Sequence, residues 1–225
     1  SRTLKISTAG RSGDWGDAMG ERVRVVAVGI AGASGSGKTT LAEAVAAAFP
    51  GRCAILPVDA YYLDLGHLPP AARAQANFDR PEALDWPLLL EQVGALVRGE
   101  TVAHPVYSFV THTRTGAVVP APPADLLLVE GLFALWSPAL VARYELAVFI
   151  DAPDPLCLAR RLARDTAERG RSSASVRRQY AAVTRPMYVR HVLPTRRQAR
   201  LVLDGSLPAE ANARRLLAAL LMPPS

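Results

Sequence analysis

Lysine is nearly missing from this sequence. Lys5 and Lys38 are the only two in 225 residues, so all but two of the 26 basic side chains are arginine. The formal charge of +6 is therefore an arginine bias, and alone it assigns no nucleic-acid function. Cysteine is equally scarce. Cys53 and Cys157 are too few for a disulfide framework, and the first twenty residues lack the apolar run of a secretory signal, so a reducing cytoplasm is the expected compartment. No uncharged stretch approaches the 18 residues or so that a membrane-spanning helix needs, which removes the membrane as an expected partner. The 18 prolines and 16 glycines are scattered without a period, which excludes collagen-like and low-complexity classes. Half the residues are hydrophobic and one fifth are charged, the composition of a globular α/β unit with at most a small insertion.

Residues 1–21 are rich in Gly, Ser and charge and carry no hydrophobic period, so they are expected to form a flexible lead-in, with Met19 a candidate natural start. Residues 22–225 form the expected domain. The run RVRVVAVGI over 22–30 reads as a buried parallel strand; residues 32–39 break it, and an Ala-rich helix over 40–49 stops at Pro50-Gly51. Three further short apolar runs each end in an acid: CAILPVD at Asp59, LLLVE at Glu130 and LAVFID at Asp151. A fifth strand is expected over 200–203 and a last helix over 208–222. Helical patterns lie between, one over 88–97 opened by Asp85 as N-cap, and two after Asp151 over 155–168 and 173–192. The alternation predicts an α/β fold with a five-stranded parallel sheet flanked by helices. Residues 101–121 depart from it: aromatic and β-branched residues with a Thr115-Gly116 break predict an inserted antiparallel β-hairpin over the sheet edge.

The segment Gly32-Ala33-Ser34-Gly35-Ser36-Gly37-Lys38-Thr39 satisfies G-x-x-x-x-G-K-[ST], after a strand and opening a helix. Glycines let backbone N–H groups curl round phosphate oxygens at the positive end of a helix. A lysine reaches the outer phosphates and a threonine hydroxyl ligates Mg²⁺. A plain Gly-Ser turn would not require a lysine in a chain that otherwise uses arginine. An acid at a neighbouring strand end should complete the phosphate site. Glu130 and Asp59 are the candidates, one for the metal and one to take a proton from an attacking hydroxyl. Asp151, followed by Ala-Pro-Asp-Pro, is expected to cap the next helix instead. A GTPase switch is excluded, because its Asn-Lys-x-Asp guanine reader needs a lysine after Lys38.

Taken with Asp59-Ala60-Tyr61-Tyr62, Asn77-Phe78-Asp79-Arg80-Pro81, the run PVYSFVTHTR over 105–114, Glu130-Gly131, RRLARDTAERGR over 160–171, Gln179-Tyr180 and Arg185-Pro186, the sequence from 23 to about 204 resembles the uridine/cytidine kinase family of P-loop kinases. The resemblance implies transfer of the γ-phosphoryl of ATP or GTP to the ribose 5′-hydroxyl of uridine or cytidine, giving UMP or CMP in pyrimidine salvage. It implies Lys38, Asp59 and Arg164 as catalytic residues, Asp59 being the base. Residues 32–40, from Gly32 to Thr40, would bind the nucleotide, with Thr39, Asp59 and Glu130 about the Mg²⁺. Asp79 would grip the ribose hydroxyls with Arg161 as its partner. Tyr107, Phe109 and His112 would enclose and read the base, with Arg171 and Gln179 on the nucleoside side of a lid over about 155–172. A homo-oligomer such as a tetramer is expected, and no nucleic acid, since a phosphate-facing lid accounts for much of the arginine. Without the surrounding motif, Tyr107 and Phe109 would read as hairpin core and His112 as an ordinary polar-face histidine.

Arg80 stands where the family usually has His, so fine substrate preference does not transfer; 198–205 depart from its usual C-terminal pattern, so contacts there at the nucleotide end and between subunits do not transfer either. A related kinase for ribulose phosphate, pantothenate or nicotinamide riboside would share the loop and Asp59 without needing the hairpin motif. A nucleic-acid module using the arginines after residue 142 is the reading from another class, and strong salt-dependent binding would mark it.

Overall fold

The computed structural model describes residues 6–8 and 25–222. Its strands and helices are β1 (Ile6–Thr8), β2 (Val26–Gly32), α1 (Lys38–Ala48), β3 (Arg52–Pro57), α2 (Pro70–Ala74), α3 (Trp86–Val97), β4 (Val102–Ser108), β5 (Thr113–Ala121), β6 (Leu126–Glu130), α4 (Pro138–Val141), β7 (Leu146–Asp151), α5 (Asp154–Glu168), α6 (Ser173–Gln179), α7 (Arg185–Met187), β8 (Leu201–Asp204) and α8 (Ala209–Leu221). The main sheet has the order β1-β3-β6-β2-β7-β8. Its last five strands in that order run parallel, as expected from the five apolar runs. β1 adds a sixth strand antiparallel to β3, inside the segment expected to be a flexible lead-in. The rest of 1–21 lies outside the described residues.

The parallel sheet is buried on both faces, and β2 shows how. Val28 and Ile30 point to one core with Leu41 and Val45 of α1 and Leu216 of α8, while Ala27 and Ala31 point to the other with Leu89 and Val93 of α3 and Leu140 of α4. Each of the large side chains at these positions is essentially inaccessible, so truncating one to Ala would cost about 2–5 kcal/mol. Gly29 lies under the Tyr144 ring, where an added Cβ would come within 2.2 Å of a ring carbon.

Four local departures from the sequence reading have physical causes. The hairpin turn falls at residues 109–112, not at Thr115-Gly116; Gly116 lies inside β5 at φ +77°, where pairing slips between Pro105–Val118 and Tyr107–Arg114. This is a bulge, the other structure for which a strand glycine is needed. Asp151 does not cap α5. Pro153 occupies the N-cap, so Asp151 lies outside the capping position and pairs with Arg196 at 3.4 Å. The stretch over 173–192 is not one regular helix. It widens twice, with Arg185 N–H donating to the Tyr180 carbonyl and Leu193 N–H to Tyr188, one residue before Pro186 and Pro194 respectively. A proline lacks the next N–H and crowds the carbonyl four residues back, which five-residue bonds relieve. Finally, α1 begins at Lys38 rather than 40, because Gly37 in the left-handed region serves as its N-cap.

Among the described residues, no helix is long and apolar enough to cross a membrane.

Candidate active site

The loop between β2 and α1 folds back on itself through left-handed glycines. Gly35 (φ +86°) lies so near α5 that a Cβ would stand 2.4 Å from the Cys157 carbonyl oxygen, and Gly37 (φ +102°) turns the chain into α1. The first-turn N–H groups of α1 are thereby aimed at the loop's interior, an anion site without any side chain. Lys38, buried, donates to the carbonyls of Gly32 (3.1 Å) and Ala33 (2.7 Å). Thr39 Oγ1 donates to Glu130 Oε1 at 2.9 Å, joining the start of α1 to the end of β6. Asp59 sits in the turn Val58–Tyr61 that follows β3. That turn approaches Glu130 because the next residue is glycine: a Cβ on Gly131 would meet Val58 Cβ at 2.6 Å.

These groups open into one cavity of about 1210 Å³. The residues from Ser34 to Thr40, Asp59, Asp79, Phe109, His112, Glu130, Arg161, Arg164, Arg171 and Gln179 all line it, so nearly every residue expected from the sequence reaches the same space. Gly32 and Ala33 form the base of the loop behind it. Tyr107 is the exception among the side chains. It is buried behind the wall, its ring packed against Tyr62 (5.4 Å), Phe109 (5.5 Å) and Phe78 (6.3 Å), and its hydroxyl has no hydrogen-bond partner.

At the hairpin end, Phe78 stacks on His112 at 4.8 Å and 14° between planes. His112 holds a positive φ of 55°, a conformation that costs a non-glycine residue about 1 kcal/mol or more and recurs at functional sites. Burial first, then the Arg169 and Arg171 guanidiniums, depress its pKa below the usual imidazole value, and its Nδ1 is buried without a partner. Burial keeps the Tyr62 phenol protonated, with Asp59 and Asp79 adding to the effect, which places both carboxylates around that ring. Asp79 accepts from Thr184 Oγ1 at 2.8 Å. Arg161, expected as its partner, instead bonds Ser34 Oγ (3.1 Å) and Gln179 Oε1 (3.2 Å), and Arg171 bonds the same Gln179 oxygen at 2.6 Å.

The sequence reading missed the group that gathers these arginines. Asp165 is fully buried, and four guanidiniums surround its carboxylate: Arg164 at 2.9 Å, Arg161 and Arg169 at 3.5 Å, Arg171 at 3.9 Å. Its position four residues after Arg161 and four before Arg169 was the available signal, since that spacing stacks side chains on one helix face. Tyr62, Phe78 and Arg169 stand within the quoted motifs but were given no role there, and Thr184 was not singled out. Arg169 lies 4.6 Å over the Phe109 ring and so bridges α5 to the hairpin.

The sequence model of the Phosphoribulokinase / Uridine kinase family matches residues 27–210. That span takes in the glycine loop, both acids, the hairpin and the arginine cluster. The chain belongs to this family. Among similar proteins of the phosphoribulokinase/uridine kinase group, a uridine kinase from Deinococcus deserti is 41% identical over 82% of this chain and 90% of its own length. One from Shewanella halifaxensis is 39% identical over 79% of this chain and 86% of its own. The structure titled a possible uridine kinase from Bacillus stearothermophilus superposes with a TM-score of 0.56, covering 80% of this chain and 89% of that one, and at 20% identity it speaks to the fold alone. Family membership makes this chain a phosphotransferase with ATP as the phosphoryl donor.

Proposed function

We propose that this protein is a uridine/cytidine kinase, transferring the γ-phosphoryl group of ATP to the ribose 5′-hydroxyl. The observation that carries the reading is a single cavity with a phosphate loop at one end, an aromatic and imidazole slot at the other, and Asp59 and Glu130 near the loop. The base lies against Phe78 and His112, its polar edge facing a neutral imidazole that can donate or accept, so both uracil and cytosine are accommodated. Asp79 accepts from the ribose hydroxyls. Asp59 takes the 5′-hydroxyl proton as that oxygen attacks the γ-phosphorus and the bond to the departing ADP breaks. Lys38 and the arginines about Asp165 oppose the charge on the transferring phosphates.

The donor set fits Mg²⁺: a threonine hydroxyl and carboxylates, all hard oxygens, with Thr39 and Glu130 already joined. Thr39, Glu130 and Asp59 would hold the ion, which neutralises phosphate charge when bound. Residues 155–172 then serve as a lid that excludes water from the transfer. A homo-oligomer and a cytoplasmic location belong to the same reading.

A panel of uridine, cytidine, thymidine, purine nucleosides, pantothenate and ribulose 5-phosphate, with ATP and Mg²⁺ and product identification, tests the proposal. Uridine and cytidine should give their 5′-monophosphates and the others react poorly. A best acceptor outside the pyrimidine ribonucleosides would overturn it.

A further inference from the structure

Arg114 lines neither the phosphate loop nor the cavity, yet it ties the hairpin to two other parts of the acceptor end. Its position on β5 pairs it with Tyr107 on β4. Its backbone N–H donates to Asp64 Oδ1 at 3.2 Å, Nε donates to the Tyr62 carbonyl at 3.1 Å, and a terminal nitrogen donates to Asp85 Oδ2 at 3.0 Å. The partners lie in two places: Asp64 and Tyr62 in the strip that follows the Asp59 turn, and Asp85 at the start of α3. Tyr62 lies three residues beyond Asp59 and is the ring that Phe78, Tyr107 and Phe109 all pack against. Asp85 caps α3, its Oδ1 accepting from Leu88 N–H at 3.2 Å. The strip around Tyr62 is itself bound to the residues before α3, through Asp85 N–H to the Tyr61 carbonyl (2.8 Å) and Leu63 N–H to the Ala83 carbonyl (2.9 Å).

Among the described residues the hairpin is not part of the main sheet, and its two strands pair with each other. Its distance from the Asp59 turn is therefore set by packing and by directed bonds across the gap, and Arg114 supplies two of those from one planar group. The Arg114–Asp85 pair is roughly three-quarters buried on both sides (side chains 23% and 24% exposed), so it is less screened than a surface ion pair. A guanidinium can hold a carbonyl and a carboxylate at once in fixed geometry, which a lysine ammonium at the end of a flexible stem does not.

We propose that Arg114 is a positioning residue that fixes the base-enclosing hairpin relative to the turn carrying Asp59, and that it acts on the nucleoside side of the reaction alone. This rests on the reading of the hairpin end as the nucleoside site. The test measures KM for uridine, KM for ATP, kcat and melting temperature in Arg114→Met, Asp85→Asn, the double variant and His112→Ala. Arg114→Met should raise the uridine KM about 10-fold or more while the ATP KM stays within about twofold, a split that general loosening of the fold does not produce. Asp85→Asn keeps an oxygen to cap α3 and loses only the charge, so it should raise the uridine KM by a smaller factor, about threefold, with little change in melting temperature. The double variant should be non-additive, because both changes break one ion pair.

Unchanged uridine KM in both single variants, or ATP KM rising in step with it, would overturn the inference. If Arg114→Met does not fold, Asp85→Asn alone decides by the same criterion. His112→Ala separates this inference from the reading beneath it. A raised uridine KM in His112→Ala with none in Arg114→Met or Asp85→Asn contradicts only the role of Arg114. No effect of His112→Ala contradicts the nucleoside site, and with it the inference.

Discussion

The two ends of the cavity are built from different materials. The phosphate end is main chain: a loop held by left-handed glycines, backed by β2 and β7 and pressed against α5, with one lysine and one threonine added. The end proposed for the nucleoside is side chain: rings from the 58–80 region and from the hairpin, held by directed bonds such as those of Arg114. A main-chain site cannot be retuned by substituting one residue, whereas a side-chain site can. The difference explains how a family can keep one donor site while its members act on different acceptors, and it predicts that damage to one end leaves binding at the other nearly intact.

The largest effect should come from the phosphate end. Lys38→Ala removes the ammonium that opposes phosphate charge, and turnover should fall by roughly 10³, the scale for losing one preorganised charge donor, while uridine affinity is kept. A folded variant with near-normal turnover would contradict the assignment of this loop. Asp59→Asn probes the junction of the two ends. It preserves shape and removes basicity, so turnover should drop about 10² or more, with uridine binding little changed. ATP and Mg²⁺ affinities measured alongside separate loss of the base from loss of metal.

Gly131→Ala sharpens the comparison because it strikes the joint and not either end. The added methyl meets Val58 at 2.6 Å, so the Asp59 turn must move or the sheet edge must give. Overpacking of this kind costs about 1–3 kcal/mol, read as a lower melting temperature, and turnover should fall with it. Full activity at unchanged stability would show that the turn is not held by this contact.

A smaller effect is expected from acid. Burial and two nearby guanidiniums place the His112 pKa below its ordinary 6.5, so the ring is mostly neutral in the folded protein at that pH and above. The uridine KM should change little from pH 8 toward 6.5 and rise mainly below it. The unfolded chain protonates this histidine first, so its contribution to stability is complete above pH 6.5 and is lost as pH falls toward the folded pKa. His112→Gln should remove that slope. A uridine KM that improves as His112 becomes charged would contradict the neutral reading.

The phosphate end was legible in the sequence for the same reason that it is main chain: its requirements fall on eight consecutive residues, and the glycine spacing carries the geometry. The five parallel strands were legible from their apolar runs, each bounded by an acid or a turn. The nucleoside end was legible only in part. His112, Phe109 and Asp79 reach the cavity as expected, but Tyr107 is shielded by the rings packed against it, a tertiary contact that no local pattern announces, and a Thr-Gly pair does not distinguish a bulge from a turn. Asp165 escaped notice because an acid among the arginines of a charged helix looks like surface charge until four guanidiniums are seen to converge on it. The two π turns follow from Pro186 and Pro194, whose effect on a helix depends on whether flanking packing holds the segment helical.

The claim that the two ends bind independently is tested most directly by equilibrium binding across them: uridine to Lys38→Ala and ATP with Mg²⁺ to His112→Ala, each against the unaltered protein. The account predicts that each affinity stays within about threefold of the original, as for well-separated sites, while ATP binding to Lys38→Ala and uridine binding to His112→Ala both weaken by more than that. Loss of both ligands in either folded variant would contradict it.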